Sequence, residues 1–139
     1  MQVHLKTIHE SSAAAGWAGP RSLVIDRTPR AGGLGIGFSG EELFMMSIGA
    51  SICNDLYREA ASRGIELHRV EIIINGDWSG EPAQARNIRY DIRVQSNASR
   101  QETEDLIRHT DQIAEIPHTL RVGTAVKLNA VEVLHEAAK

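Results

Sequence analysis

The sequence predicts an α+β fold built around one long, buried central helix. Three observations predict it. A capping box at Ser39 and Glu42 opens a helical window that runs to Gly64, a residue suited to ending a helix. Two segments, around 68–74 and 88–94, alternate apolar and polar side chains with the period of a strand. A second capping box, Ser99 to Glu102, opens a shorter amphipathic helix.

The elements follow in order. Residues 2–8 set Val3 and Leu5 against Gln2, His4 and Lys6, the pattern of a half-buried strand. Glu10 to Pro20 is small and rich in Ala, Gly and Ser, and is expected to be a loop. Ser22 to Asp26 is a short strand candidate, and Arg30 to Gly40 a glycine-rich loop. The helix over 40–63 would be roughly 36 Å long at about 1.5 Å per residue. Its apolar residues Leu43, Phe44, Met46, Ile48, Ala50 and Ile52 spread around most of its circumference, which predicts burial on most sides. His68, Val70, Ile72 and Ile74 then share one strand face, with His68 expected to be partly buried. Ile88, Tyr90, Ile92 and Val94 share a face of the next strand, and Gly76, Gly80 and Pro82 mark the connection. The second helix reaches about Ala114 with Leu106, Ile107, Ile113 and Ala114 inward. A last strand is expected from about Thr124 to Leu134. The order is β-β-α-β-β-α-β, without repeat or linker, and one domain over residues 1–139 is expected.

Bulk properties exclude several classes. Net charge is -3, and aromatics are few and scattered, so a nucleic-acid partner is not expected. No apolar run reaches the roughly eighteen residues a spanning helix needs. Without an export signal at Met1 to Thr7, the cytoplasm is the expected location. Cys53 is the single cysteine, so no disulfide can form within one chain. The histidines at 4, 9, 68, 109, 118 and 135 lack metal-ligand spacing; neither a metal nor a cofactor is expected.

Two motifs carry a family resemblance. The run Ser39-Gly-Glu-Glu-Leu-Phe-Met-Met-Ser-Ile-Gly-Ala-Ser51 resembles the central helix of the OsmC/Ohr family of thiol peroxidases. In that family a glutamate stands ten residues before a reactive cysteine; here Glu41 fits the glutamate and Ser51 takes the cysteine position. Ile116-Pro117-His118-Thr119-Leu120-Arg121-Val122-Gly123 resembles the family's second cysteine motif, with Ile116 in the place of the cysteine. The resemblance implies an intertwined homodimer in which two long helices pack back to back with sheets outside. It also implies an organic hydroperoxide as substrate, and an arginine beside the thiol; Arg21, Arg27 and Arg30 are the candidates.

The residues themselves argue against that chemistry. A thiolate attacks the O–O bond and becomes a sulfenic acid; a serine hydroxyl cannot. Cys53 lies two positions along the helix from Ser51, rotated by about 200°. A lone cysteine on an apolar helix fits an inert packing residue, and a one-cysteine reactive site is the alternative. Ser51, Asp55 and His118 have the residue types of a hydrolytic triad, but no nucleophile elbow accompanies them; a polar helix stripe and a surface histidine are the simpler account. Gly35-Ile-Gly37-Phe-Ser-Gly40 spells G-x-G-x-x-G, yet the helix that follows is longer than the interval to the acidic residue a dinucleotide site requires. Two functions remain: an organic hydroperoxide reductase, carried by resemblance, and a catalytically degenerate relative. The second would bind a small apolar ligand in the old pocket, a cleft built from both chains of the dimer, where Phe44, Asp55, Ile116 and His118 are expected to stand with Glu41 and Ser51.

Overall fold

The computed structural model describes residues 1–134; His135, the last of the six histidines, lies outside the described residues. The chain is α+β, as expected. Strands β1 (His4–Thr7), β2 (Ala14–Ala18) and β3 (Arg21–Ile25) form an antiparallel sheet in that order. A short 3-10 turn at Pro29–Ala31 leads to α1 (Gly40–Ser62). Strands β4 (Leu67–Ser79) and β5 (Gln84–Ser96) form a long antiparallel hairpin, followed by α2 (Arg100–Ile113) and α3 (Glu115–Val122).

Both capping boxes form. Ser39 Oγ accepts from Glu42 N–H while Glu42 accepts from Ser39 N–H, and Ser99 and Glu102 do the same for α2. Helix α1 lays one face on the inner side of the hairpin. Ile48 and Ile52 pack with Ala114 against Ile72, Ile74, Tyr90 and Ile92. One turn further on, Leu56 and Ala60 pack with Leu106 against Val70, Val94 and Ile107. Each such aliphatic side chain contributes about 1.5–3 kcal/mol when fully buried. Gly49 permits the closest approach, since a Cβ there would stand 2.7 Å from Ile74 Cδ1. The burial is one-sided within a single chain, for Met46, Ala50 and Tyr57 on the opposite face of α1 remain exposed.

Three elements differ from the expected order. The Ala/Gly-rich stretch holds β2, the middle strand of its sheet. It carries few side chains because its neighbours fill the space: a Cβ on Gly16 would meet Ile25 Cδ1 at 3.0 Å. Helix α3 forms where only a motif was expected. Conversely, no strand forms over 124–134 among the described residues, where Val126 and Leu128 are almost fully exposed. A strand needs a partner for its backbone ladder, and the single chain presents none there. Gly76 lies within β4, in an irregularity between Asn75 and Asp77, rather than in the connection. His68 is a correction: the register shift between Leu67 and Arg69 leaves it outside the paired alternation, and it is exposed near Glu66.

Asp26 fixes the link from the first sheet to α1. Its carboxylate is 3% exposed and accepts from Arg27, Leu34 and Ile36 N–H groups and from the Ser12 hydroxyl. Burial acts to raise its pKa, but these hydrogen bonds together outweigh it and hold the carboxyl below the ordinary aspartate range. A depressed folded-state pKa contributes stability that is present above the ordinary range and lost as pH falls through it. Asp26→Asn is therefore expected to lower the Tm at neutral pH and to flatten its fall on acidification. Parallel Tm-against-pH curves for variant and wild type would rule this out.

Candidate functional site

Ser51 and Ile116, which the resemblance sets in the two cysteine positions, touch each other. Ser51 Oγ accepts the Ile116 N–H at 3.1 Å. One helical turn on, Asp55 Oδ2 accepts the Glu115 N–H at 3.3 Å. Positions 51 and 55 are four apart, so both side chains project from the same face of α1. They project onto the first turn of α3.

That contact completes the hydrogen bonding of α3. A helix leaves its first amides without internal partners. The residue before α3 is Ala114, which offers no side-chain cap. Glu115 and Ile116 donate instead to Asp55 and Ser51, Pro117 has no N–H, and His118 N–H reaches the Ala114 carbonyl at 2.9 Å. The Asp55 carboxylate is 6% exposed and also pairs with Arg58 at 2.9 Å. Its charge suits the positive end of the helix dipole.

The remaining candidates spread out. Ile116 is 37% exposed and His118 is exposed. Both Asp55 oxygens are engaged by Arg58 and Glu115, so Asp55 does not orient a histidine as a triad would. Cys53 is half-buried on the other side of α1, in a stripe with Met46, Ala50 and Tyr57. Phe44 packs edge-on against Trp78 with ring centres 5.8 Å apart. Glu41 lines a shallow groove with Phe38, Met45, Met46 and Trp78. Ten residues of helix, about 15 Å, separate Glu41 from Ser51 within one chain. Arg21 lines an apolar groove over the first sheet, while Arg27 and Arg30 sit in the loop that Asp26 organises. In the Gly35–Gly40 run the Ile36 N–H donates to the Asp26 carboxylate, the Gly35 N–H to the Arg27 carbonyl and the Phe38 N–H to the Val24 carbonyl, so these amides are engaged within the chain.

A cleft of about 200 Å³ lies one turn before Ser51 along α1 and one residue past Ile116 along α3, and Glu41, Phe44, Ser51, Asp55, Ile116 and His118 are not among its lining residues. Ile48, Ile88, Tyr90, Pro117, Leu120 and Arg121 line it. Tyr90 and Arg121 were not singled out as site residues by the sequence: Tyr90 stands in no motif, and the motif that holds Arg121 was read for its cysteine position alone. Tyr90 O–H donates to Asp111 Oδ1 at 2.9 Å. Burial first, and the Asp111 hydrogen bond and charge next, push the Tyr90 phenol well above its ordinary pKa. It is a neutral donor throughout the physiological range. Among the described residues no three His, Cys, Asp or Glu side chains converge to hold a metal ion. None of the described helices is long and apolar enough to cross a membrane.

Removing the cap should register as stability. Ser51→Ala leaves the Ile116 N–H unpaired and is expected to cost about 1 kcal/mol. Asp55→Ala strands both Glu115 N–H and Arg58 and is expected to cost about 1–3 kcal/mol. Urea midpoints read both; an unchanged midpoint for Ser51→Ala would remove the capping role.

Comparison with known proteins bears on the family and the fold. A family model described as OsmC-like protein matches residues 32–129. No curated protein sequence matches the chain significantly. Among solved structures, an OsmC-like protein from Mycoplasma pneumoniae is 16% identical, with a TM-score of 0.75 over 86% of each chain. The organic hydroperoxide resistance protein OhrB of Bacillus subtilis is 15% identical, with a TM-score of 0.59 over 87% of this chain and 91% of its own. An organic hydroperoxide resistance protein OsmC from Legionella pneumophila is also 15% identical, with a TM-score of 0.59 over 87% of this chain and 90% of its own. At such identities the likeness is one of fold. The matched span covers well over half of the sequence and includes both motifs, and the chain belongs to the OsmC-like protein family.

Proposed function

We propose that this OsmC-like chain keeps the family scaffold without its two-thiol peroxidase chemistry. In place of that chemistry it binds a small apolar ligand in the cleft lined by Ile48 and Pro117. The observation that carries the reading is the Ser51 to Ile116 hydrogen bond at 3.1 Å. It supports the alignment of both motifs, and with it the loss of both sulfurs. Peroxide reduction needs a thiolate that attacks one oxygen, expels the alcohol and becomes a sulfenic acid. Neither position can supply it. Ile48 and Pro117, which wall the cleft, lie one turn from Ser51 and one residue from Ile116.

The names of the Bacillus and Legionella neighbours favour a second reading, in which an organic hydroperoxide is itself reduced. Cys53 is the one thiol available for it. Turnover of cumene hydroperoxide with a dithiol reductant separates the two. Wild type and Cys53→Ser are both expected at background, while Ser51→Cys is expected to gain slow sulfenic acid formation, detectable by mass. Rapid wild-type turnover that Cys53→Ser abolishes would overturn the proposal in favour of a relocated reactive cysteine.

We further propose that the working unit is a homodimer. Support comes from apolar surface that one chain leaves open: the Met46, Ala50, Cys53, Tyr57 stripe on α1, and a groove over the first sheet walled by Val3, Leu5, Trp17, Leu23 and Leu43. Obligate dimers commonly bury roughly 2,000 Å² or more. Light scattering at micromolar concentration is expected to give twice the chain mass, and a monomeric mass would count against this assembly.

A further inference from the structure

The cleft beside α3 is apolar on Ile48, Ile88, Pro117 and Leu120 and polar on Tyr90 and Arg121. Both polar groups are held from behind by Asp111 of α2. Arg121 donates to the Asp111 backbone carbonyl at 2.8 Å and to Asp111 Oδ1 at 2.9 Å. Tyr90 O–H donates to the same Oδ1. A guanidinium has five N–H donors in a fixed fork, so Arg121 keeps donors beyond those two bonds. Its positive charge, however, is offset by the Asp111 carboxylate against it. The cleft therefore offers a fixed hydrogen-bond donor without offering net charge.

Resting on the ligand-binding reading above, we propose that this cleft selects a neutral amphiphile: an apolar tail carrying one hydrogen-bond acceptor, such as an alcohol or ketone. The tail lies between Ile48, Ile88, Pro117 and Leu120, and the acceptor takes an unspent Arg121 N–H. A carboxylate head would bring a second anion beside Asp111. An ammonium head would face Arg121. Either would leave water for a site that does not compensate its charge. The volume sets the size. A cleft of about 200 Å³ limits the tail to a short one, and a hexyl chain serves as the probe. Asp111 is thus a specificity-determining residue although it stands behind the lining.

The test is calorimetric titration with hexan-1-ol, hexanoate and hexylammonium at neutral pH. Wild type is expected to bind the alcohol at least about tenfold more tightly than either ion. Leu120→Trp, which fills the cleft, is expected to abolish binding. Asp111→Asn removes the compensating charge and is expected to shift the preference to hexanoate. Arg121→Gln leaves Asp111 alone and is expected to shift it to hexylammonium; this half-exposed position gives the answer should Asp111→Asn fail to fold. Wild-type binding of either ion as tightly as the alcohol would overturn the charge selection while leaving a ligand site in place. Absence of binding by all three probes would instead remove the ligand-binding reading, and this inference with it.

Discussion

A helix of eight residues spends much of its length at its ends, and α3 depends on a neighbour to finish its first turn. Ser51 and Asp55 supply what Ala114 cannot. The placement of α3 then determines the rest of the candidate site. Pro117 and Leu120 come to face Ile48 across the cleft, and Arg121 comes within reach of Asp111. The polar pair on α1 is in this sense the origin of the cleft. It is also what ties the C-terminal part of the chain to the central helix, since α3 ends at Val122 and no strand follows among the described residues.

The position of the pair follows from how α1 is divided. Ile48, Ile52 and Leu56 face the hairpin and α2, where burial is complete or nearly so. Met46, Ala50 and Tyr57 face away. Ser51 and Asp55 occupy the boundary between the two faces, where a polar side chain can be desolvated only if it finds a partner. The amides of α3 are those partners, and burial of Asp55 is tolerable because Arg58 and Glu115 both engage it. A second polar contact clasps α1 to α2: Glu59 bonds His109 at 3.0 Å and, within α1, Arg58 at 3.3 Å.

Much of this was legible in the sequence, and the reasons are local. Both capping boxes, the span of α1 and the alternation of Val70, Ile72 and Ile74 follow from side chains acting on nearby backbone. The juxtaposition of positions 51 and 116 came from motif resemblance, and the structure gives it a distance. What the sequence hid depends on distant parts of the chain. Strand β2 reads as a loop because Ala and Gly leave their space to Leu5 and Ile25, which belong to other strands. Helix α3 is hard to see because its cap lies about sixty residues upstream. Tyr90 is an ordinary strand residue, and Arg121 a motif residue without an assigned role, until Asp111 joins them.

On the proposed reading, the serine at position 51 does more than stand in a cysteine position, because it makes this contact. A backbone N–H at the start of a helix carries partial positive charge. Placed against a thiol, it favours the thiolate and so favours reaction with peroxide. Placed against a hydroxyl, whose proton is held far more strongly, it yields only a hydrogen bond. Oxygen is also the better acceptor, since a cysteine sulfur accepts weakly. The geometry that would make sulfur reactive therefore makes oxygen structural. An alanine would have removed the chemistry equally well. It would also have left the Ile116 amide unpaired, at a cost of about 1 kcal/mol in a fold whose total stability is a small difference between large terms. On this argument the hydroxyl at 51 serves the helix it caps.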